Sequence, residues 1–176
     1  MVNMAELPKY ERYKDSGVDW LGEIPFSWTL KKVKHTAKIN PPLRIEKKFL
    51  HENAYFLPME LVHISGRVDY EIQRPIGVLK QGFTSFKRND VILAKITPCF
   101  ENGKGAYLDT MPTEYGFGST EFHVLRAENS FEPKFIYYLT KTDLFMKLGE
   151  CLMTGSAGQK RVQTDFVANF IFAAPK

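Results

Sequence analysis

The sequence has few of the residues that build a metal centre or a disulfide framework. It contains two cysteines, Cys99 and Cys151, which lie far apart and form no CxxC pair. The four histidines also lack metal-ligand spacing, because Tyr55 stands where a His-Glu-x-x-His motif beginning at His51 needs its second histidine. We therefore expect two reduced thiols, no metal site and no bound cofactor.

Long hydrophobic runs are absent as well. No apolar stretch approaches the ~20 residues that a membrane-spanning helix needs, and the charged start has no signal-peptide core. The sequence therefore predicts a cytoplasmic protein without a membrane partner.

A chain of 176 residues can form one domain with its own core. We expect an irregular arm at 1–28, packed on a domain at 29–176 and anchored by Trp20 and Trp28.

The motifs of nucleotide- and methyl-transferring enzymes are incomplete. Asn40-Pro-Pro-Leu43 is similar to the Asn-Pro-Pro-aromatic loop of amino-methyltransferases, but leucine replaces the aromatic residue and no glycine-rich loop precedes it. Gly103-Lys104 lacks the remaining residues of a phosphate-binding loop, and Ser156 lacks the first glycine of a nucleophile elbow. These patterns favour turns rather than catalytic loops.

A metal-dependent nuclease is the enzymatic alternative that stays open. Asp90, Glu101 and Lys104 place two carboxylates and a lysine at the ends of one predicted strand. Such groups can hold magnesium and position water. However, the usual acidic-x-Lys arrangement is missing, and Asp90 is also typical of a turn before a strand.

Positive charge is concentrated in one part of the chain. The net charge is +4, and residues 31–48 carry Lys31, Lys32, Lys34, Lys38, Arg44, Lys47 and Lys48 against the single carboxylate of Glu46. A basic run of this kind is usually a solvated face. It can also bind a phosphate backbone through counterion release, so charge alone does not decide between the two.

Two strand–loop units form the centre of the predicted fold. Asn89-Asp90 is a turn pair, and the β-branched run Val91–Thr97 predicts a buried strand that ends at Pro98. Gly116–Arg126 has the same arrangement, a small-residue turn followed by an alternating strand. Each strand therefore presents a polar loop rich in hydrogen-bonding groups.

Further strands are predicted at Tyr55–Val62, Val68–Ile72 and Phe166–Phe172. Pro58 implies that the first of them is an edge strand or is bulged. Two helices are predicted between Phe131 and Gly149, where the apolar period changes.

The ends of these helices carry recognisable signals. Pro133 suits a first turn, Thr142 suits an N-cap and Gly149 suits a C-terminal cap. Met153–Val162 is then predicted to be a polar loop.

Three stretches carry a family resemblance. Phe83–Ala106, Gly116–Arg126 and the Met153–Val162 loop resemble the target recognition domain of type I restriction-modification specificity subunits, and Tyr13–Trp28 is similar to that subunit's N-terminal entry segment. The resemblance implies a single mixed α+β domain, with a mixed or antiparallel curved sheet and short helices packed on one side. It also implies a non-catalytic protein that reads one half of a bipartite sequence in double-stranded DNA.

The same resemblance implies partners. Specificity subunits carry two recognition domains and bind methyltransferase (modification) subunits and restriction or motor subunits. The second domain is missing here, and the sequence ends where a helical spacer would be expected to start. It is either a piece of a longer protein or a half-subunit, and self-association or pairing with a second recognition half is expected.

Two sets of residues are candidates for contact with DNA. Those that we expect to contact phosphates or support the loops are Lys87, Arg88, Lys95, Asn102, Lys104, Ser119, Thr120, Gly155, Ser156, Gln159, Lys160 and Arg161. Specificity subunits with different targets resemble one another in these stretches, so base reading is assigned to the segment between Asn40 and Gln81. Its candidates are Arg44, Asn53, Arg67, Gln73, Arg74 and Gln81. A protein-interaction module with ordinary polar loops is the remaining alternative.

Overall fold

The computed structural model describes residues 9–128 and 130–175, which form twelve short strands and four short α-helices, with 3-10 helices at Val33–His35, Lys47–Phe49 and Met59–Leu61. The strands are β1 (Tyr13–Asp15), β2 (Glu23–Pro25), β3 (Thr29–Lys32), β4 (Ala37–Ile39), β5 (Asn53–Leu57), β6 (Ile72–Pro75), β7 (Thr84–Lys87), β8 (Val91–Ala94), β9 (Gly105–Tyr107), β10 (Tyr115–Gly118), β11 (Phe122–Ala127) and β12 (Ile171–Ala174). The helices are α1 (Ile76–Leu79), α2 (Pro133–Thr140), α3 (Asp143–Cys151) and α4 (Thr164–Asn169). Within this part of the chain, no helix is long and apolar enough to span a bilayer.

An antiparallel sheet in the order β4-β11-β8-β9 forms the central layer. Strand β8 is apolar at every position and is buried along its whole length, which requires cover on both faces. Its alternating side chains fall into two separate clusters, with Ile92 in one and Leu93 in the other. The sheet is therefore sandwiched between two other layers.

A mixed sheet in the order β6-β5-β10-β7 covers one face of the central sheet. Strands β5 and β10 run parallel, and β7 and β6 pair antiparallel on either side of them. Leu57 and Phe86 from the mixed sheet share a cluster with Ile92 and Val124 from the central sheet. On the outer face of the mixed sheet, α1 packs against Phe117.

Helices α2, α3 and α4 cover the other face of the central sheet. Ile136, Phe145 and Val167 come from these three helices and pack in one cluster with Val91 and Leu93. The fold is thus α+β, with two stacked sheets and its longer helices on one side, in agreement with the sequence-based expectation.

Two smaller strand pairs complete the structure. Strand β3 pairs antiparallel with β12, so that Thr29 lies opposite Ala174. Strands β1 and β2 form a hairpin in the N-terminal arm, where Ile24 is buried and Trp20 is half exposed. Residues 1–8 of the predicted arm lie outside the described residues.

Several local predictions are confirmed. Asn89 has a φ of +68°, as the turn before β8 requires. Pro133 opens α2, and the Thr142 hydroxyl accepts a hydrogen bond from the Phe145 amide at the start of α3. Met153–Val162 contains no strand or helix, as expected for a loop.

Gly149 does not cap α3, because the helix continues to Cys151. A Cβ at this glycine would lie 2.8 Å from Cε1 of Phe100 and 3.0 Å from Cε1 of Phe166. The glycine is therefore explained by close packing of the helix against two aromatic rings.

Three strand predictions are also corrected. Phe166–Phe172 is divided between α4 and β12, and apolar residues of both elements pack in the same core cluster. Val68–Ile72 contributes an isolated bridge from Val68 to Val62, and β6 begins only at Ile72. Pro58 follows the end of β5, a central strand, so it terminates that strand instead of marking an edge.

Candidate nucleic-acid interface

The polar loops of the predicted site meet at one end of the stacked sheets. Strands β5, β8 and β10 finish at this end, and β11 begins there. The Ser119 amide donates to the Leu57 carbonyl at 3.1 Å, and the Lys95 amide donates to the Glu121 carbonyl at 2.8 Å. We call this surface the Lys95 end, formed by residues 58–67, 95–104, 119–121 and 154–161.

The loop after α3 extends the central sheet at the Lys95 end. The Thr97 amide donates to the Lys160 carbonyl at 3.0 Å, and the Val162 amide donates to the Lys95 carbonyl at 2.8 Å. Arg161 forms isolated bridges with both Ile96 and Thr154. The backbone of this loop is therefore fixed beside Lys95, while residues 154–160 remain exposed apart from these contacts.

An ion pair lies in the middle of this surface. Arg161 donates to the Glu121 carboxylate from Nη2 at 2.7 Å and from Nε at 3.0 Å. Its Nη1 donates to the Gln159 carbonyl at 3.0 Å. The hydrogen bond from Arg161 holds the pKa of Glu121 below its usual value, and Glu121 in turn raises the pKa of Arg161. Both groups are thus charged at neutral pH.

A buried histidine supports the surface from below. His123 Nε2 lies 3.0 Å from the Val162 carbonyl, and its Nδ1 lies 3.2 Å from Nδ2 of Asn40. Because Nε2 must donate to the carbonyl and Nδ1 must accept from the amide, this arrangement fits the neutral imidazole. Asn40 also accepts from the Val124 amide through Oδ1 at 2.9 Å. Its side chain is therefore occupied structurally, which agrees with a turn rather than a methyltransferase loop.

The protonation of His123 makes stability depend on pH. Burial lowers the pKa of His123 below its ordinary value of 6.5, and nearby Lys95 lowers it further, whereas the Val162 hydrogen bond and Glu121 oppose this shift. The unfolded chain therefore binds a proton at a higher pH than the folded protein. The contribution to stability is complete above about pH 6.5 and is lost as the pH falls toward the folded-state pKa.

We expect the free energy of unfolding, measured with urea, to decrease between pH 7.5 and pH 5.5. The slope should reach at most about 1.4 kcal/mol per pH unit for one proton. His123→Gln should flatten this slope, whereas His35→Gln, at an exposed position, should not. An equal slope in the wild type and in His123→Gln would contradict the assignment.

Most of the predicted phosphate-contacting residues lie at the Lys95 end. Gln159 and Lys160 are exposed there, as is Asn102 in the turn between β8 and β9. Lys104 is half-buried, and its Nζ donates to the Met59 carbonyl at 3.0 Å, so it ties two loops together. The other members at this end are Lys95, Ser119, Thr120, Gly155, Ser156 and Arg161.

Lys87 and Arg88 lie at the opposite end of β8, which we call the Lys87 end. Arg88 Nη2 donates to the Pro112 carbonyl at 2.7 Å, and Lys87 Nζ lies 3.7 Å from the Glu114 carboxylate. The structure therefore does not bring these two residues together with the rest of the predicted set.

The base-reading candidates are divided in the same way. Arg67 belongs to the Lys95 end, where its guanidinium lies 3.4 Å from Asp69. Asn53 lies at the Lys87 end, in a cavity that three glutamates also line. The remaining candidates are exposed on other parts of the surface, with Gln73 and Arg74 on β6, Gln81 between α1 and β7, and Arg44 between β4 and β5.

The nuclease constellation does not form. Asp90 precedes β8 at the Lys87 end, whereas Glu101 and Lys104 follow β8 at the Lys95 end. Asp90 is instead bound by Arg126, with Oδ1 to Nε at 2.8 Å. Across residues 9–128 and 130–175, no group of three or more histidine, cysteine or acidic residues is placed to hold a metal ion.

Comparisons with known proteins give two curated relatives from Escherichia coli. The type I restriction enzyme EcoAI specificity subunit is 37% identical over 150 residues, 84% of this chain. The EcoEI specificity subunit is 36% identical over 156 residues, 87% of this chain. This chain belongs to the type I specificity-subunit family. It spans about a quarter of the length of these relatives, 25% and 26% respectively.

Solved structures show that this specificity-subunit domain has a known fold. The HsdS subunit from Thermoanaerobacter tengcongensis superposes with a TM-score of 0.68 at 18% identity, over 86% of this chain and 39% of that one. A chain from a study of complex assembly and conformational transition of a type I R-M system gives the same TM-score at 20% identity, with the same coverage. No protein-family model matches the sequence.

Sequence reasoning missed two residues of the specificity-subunit domain that organise the Lys95 end. Glu121 binds a residue that is 40 positions away, so no local spacing reveals the pair. Lys141 donates to the carbonyls of Gly103 and Ile64, and burial lowers the pKa of its ammonium group. Both residues act through contacts between distant loops, and such contacts leave no signal in a single sequence.

Proposed function

We propose that this domain binds double-stranded DNA through the Lys95 end and reads one half of a bipartite target. The observation that carries the proposal is the 37% identity with a specificity subunit over 84% of the chain. The geometry supports it, because the loops that carry the family resemblance converge at one end of the fold. Lys95, Lys160 and Gln159 lie together there.

The chemistry of this end suits a duplex. Lys95 and Lys160 supply cations for phosphates, and exposed amides such as Asn102 and Gln159 supply donors and acceptors. Within the Lys95 end, the five cations Arg67, Lys95, Lys104, Lys160 and Arg161 outnumber the three carboxylates of Glu60, Glu101 and Glu121. This end therefore carries a net positive charge, which favours the approach of a phosphate backbone.

Base reading is assigned to the segment between Asn40 and Gln81, and Arg67 is its best-placed member. Arg67 lies at the Lys95 end with 67% of its side chain exposed. Its ion pair with Asp69 is on the surface, where such pairs contribute little, so the guanidinium can be redirected to a guanine edge.

The activity of a complete system requires more than this domain. We propose that the chain is a non-catalytic component, and that it directs methyltransferase subunits and restriction or motor subunits to DNA. A second recognition half would supply the other part of the target. Tethering two halves raises affinity through effective concentration, so this domain alone should bind DNA weakly.

Binding to a random-sequence duplex should weaken as salt increases. Lys160→Ala should weaken binding and reduce the slope of log K against log salt by roughly one unit, because one phosphate contact is lost. Fluorescence anisotropy across a salt series measures both quantities. The matched control is Lys147→Ala, which removes an exposed lysine from α3. If neither Lys95→Ala nor Lys160→Ala changes the slope, the Lys95 end is not the DNA-binding surface.

A further inference from the structure

Glu121 is an unexpected residue for a surface that binds DNA. It lies between Ser119 and β11, and its backbone is fixed by a hydrogen bond from its amide to Oγ of Ser119 at 3.2 Å. Its carbonyl accepts from the Lys95 amide at 2.8 Å. A carboxylate held this firmly beside Lys95 and Lys160 should repel a phosphate backbone unless it has another use.

Arg161, the partner of Glu121, makes its guanidinium hydrogen bonds within the protein. All three nitrogens of the Arg161 guanidinium donate within the protein, to Glu121 and to the Gln159 carbonyl. The Arg161 side chain is 39% exposed and that of Glu121 is 24% exposed. An arginine engaged on both sides and neutralised by a carboxylate is a weak candidate for direct phosphate contact.

The backbone of Arg161 also anchors the neighbouring loop. The Arg161 amide donates to the Thr154 carbonyl at 2.8 Å, and the Thr154 amide donates back to the Arg161 carbonyl at 3.0 Å. Gln163 Nε2 reaches Oγ1 of Thr154 at 2.7 Å and the Arg161 carbonyl at 3.1 Å. Arg161 thus closes the base of the exposed 155–160 loop, and Glu121 connects that base to the central sheet.

We propose that Glu121 is a positioning residue for DNA binding, which holds Arg161 so that the 154–161 loop presents Lys160 and Gln159 beside Lys95. The proposal rests on the proposed function and assigns different roles to the adjacent cations Lys160 and Arg161. Lys160 contacts the phosphate backbone, whereas Arg161 contributes by fixing the loop.

Whether Glu121→Gln strengthens or weakens DNA binding tests this proposal. Removing a negative charge from a DNA-binding surface ordinarily strengthens binding, and a released Arg161 would add a phosphate contact. A positioning role predicts the reverse, a loss of about 3- to 10-fold in affinity, since a partly exposed charged hydrogen bond is replaced. The control is Glu128→Gln, an equal change in charge beyond the other end of β11.

Two further measurements use the same chain. If the residues act as one unit, the double variant Glu121→Gln/Arg161→Gln should bind no more weakly than Arg161→Gln alone. Hydrogen exchange in the absence of DNA should show faster exchange of the Arg161 and Val162 amides in Glu121→Gln than in Glu128→Gln. Tighter DNA binding by Glu121→Gln, or unchanged binding and exchange, overturns the proposal.

Failure of the proposed function gives a different pattern. If the unmodified chain does not bind duplex DNA even at low salt, the DNA role of both Lys160 and Glu121 is rejected. The exchange rates of the free protein then report separately whether Glu121 fixes the loop.

Discussion

Asp90→Ala is expected to lower the free energy of unfolding by about 3–5 kcal/mol, the usual cost of breaking a buried ion pair on one side. The Asp90 side chain is only 2% exposed and binds Arg126 through both oxygens, at 2.8 and 2.7 Å. Its Oδ2 also accepts from the Lys87 amide at 2.7 Å. Alanine would leave the guanidinium and the amide without their partner at the start of β8. Urea denaturation monitored by circular dichroism measures the loss.

Two variants show whether the loss of stability comes from leaving the Arg126 guanidinium unpaired. Asp109→Ala removes an exposed carboxylate from the turn after β9 and should change stability by less than about 0.5 kcal/mol. Asp90→Ala combined with Arg126→Met should be more stable than Asp90→Ala alone, because no unpaired cation remains. A double variant that is no more stable than Asp90→Ala would contradict this account.

Gly116→Ala is expected to lower the free energy of unfolding by about 1–3 kcal/mol, the usual cost of overpacking a core. A Cβ at Gly116 would lie 2.8 Å from Sδ of Met111 and 2.9 Å from Cδ2 of Phe86. Both of these side chains are almost fully buried between the two stacked sheets. The Phe86 ring therefore needs a residue without a side chain opposite it on β10.

A double-mutant cycle tests this explanation. Phe86→Leu replaces the aromatic ring with a smaller side chain, so Gly116→Ala should cost less in the Phe86→Leu background than in the wild type. Thermal or urea unfolding of the four proteins gives the coupling free energy. Additive losses would indicate that backbone conformation, and not contact with Phe86, explains the glycine.

Patterns with a short range in sequence predicted β5, β8, β11, α2 and α3, but they did not predict the hairpin of the arm or strands β7, β9 and β10. The β-branched run from Val91 predicted β8, whose side chains fill both neighbouring layers, but the strand ends at Ala94 and not at Thr97. Thr142 predicted the start of α3 because an N-cap needs only the next three residues. By contrast, Gly149 has the composition of a helix end, and only its contact with Phe100 explains its place inside α3.

The candidate site was predictable in part, for a related reason. The motifs around Lys95, Ser119 and Lys160 identified the loops, and the structure brings these loops together. Which cations remain available could not be predicted, because the partners of Lys104 and Arg161 are the Met59 carbonyl and Glu121, 45 and 40 positions away. Lys87 resembled the other candidates in sequence, yet the length of β8 separates it from them.

The pairing of β3 with β12 has a consequence for the order of folding. Thr29 and Ala174 lie opposite each other, so this ladder joins residues that are 145 positions apart in the sequence. The Val33 amide also donates to the Phe170 carbonyl at 3.2 Å, beside the helical core cluster. Closing so long a loop is slow because its entropic cost precedes any gain in contacts. During synthesis on the ribosome, β3 therefore stays unpaired until β12 has emerged.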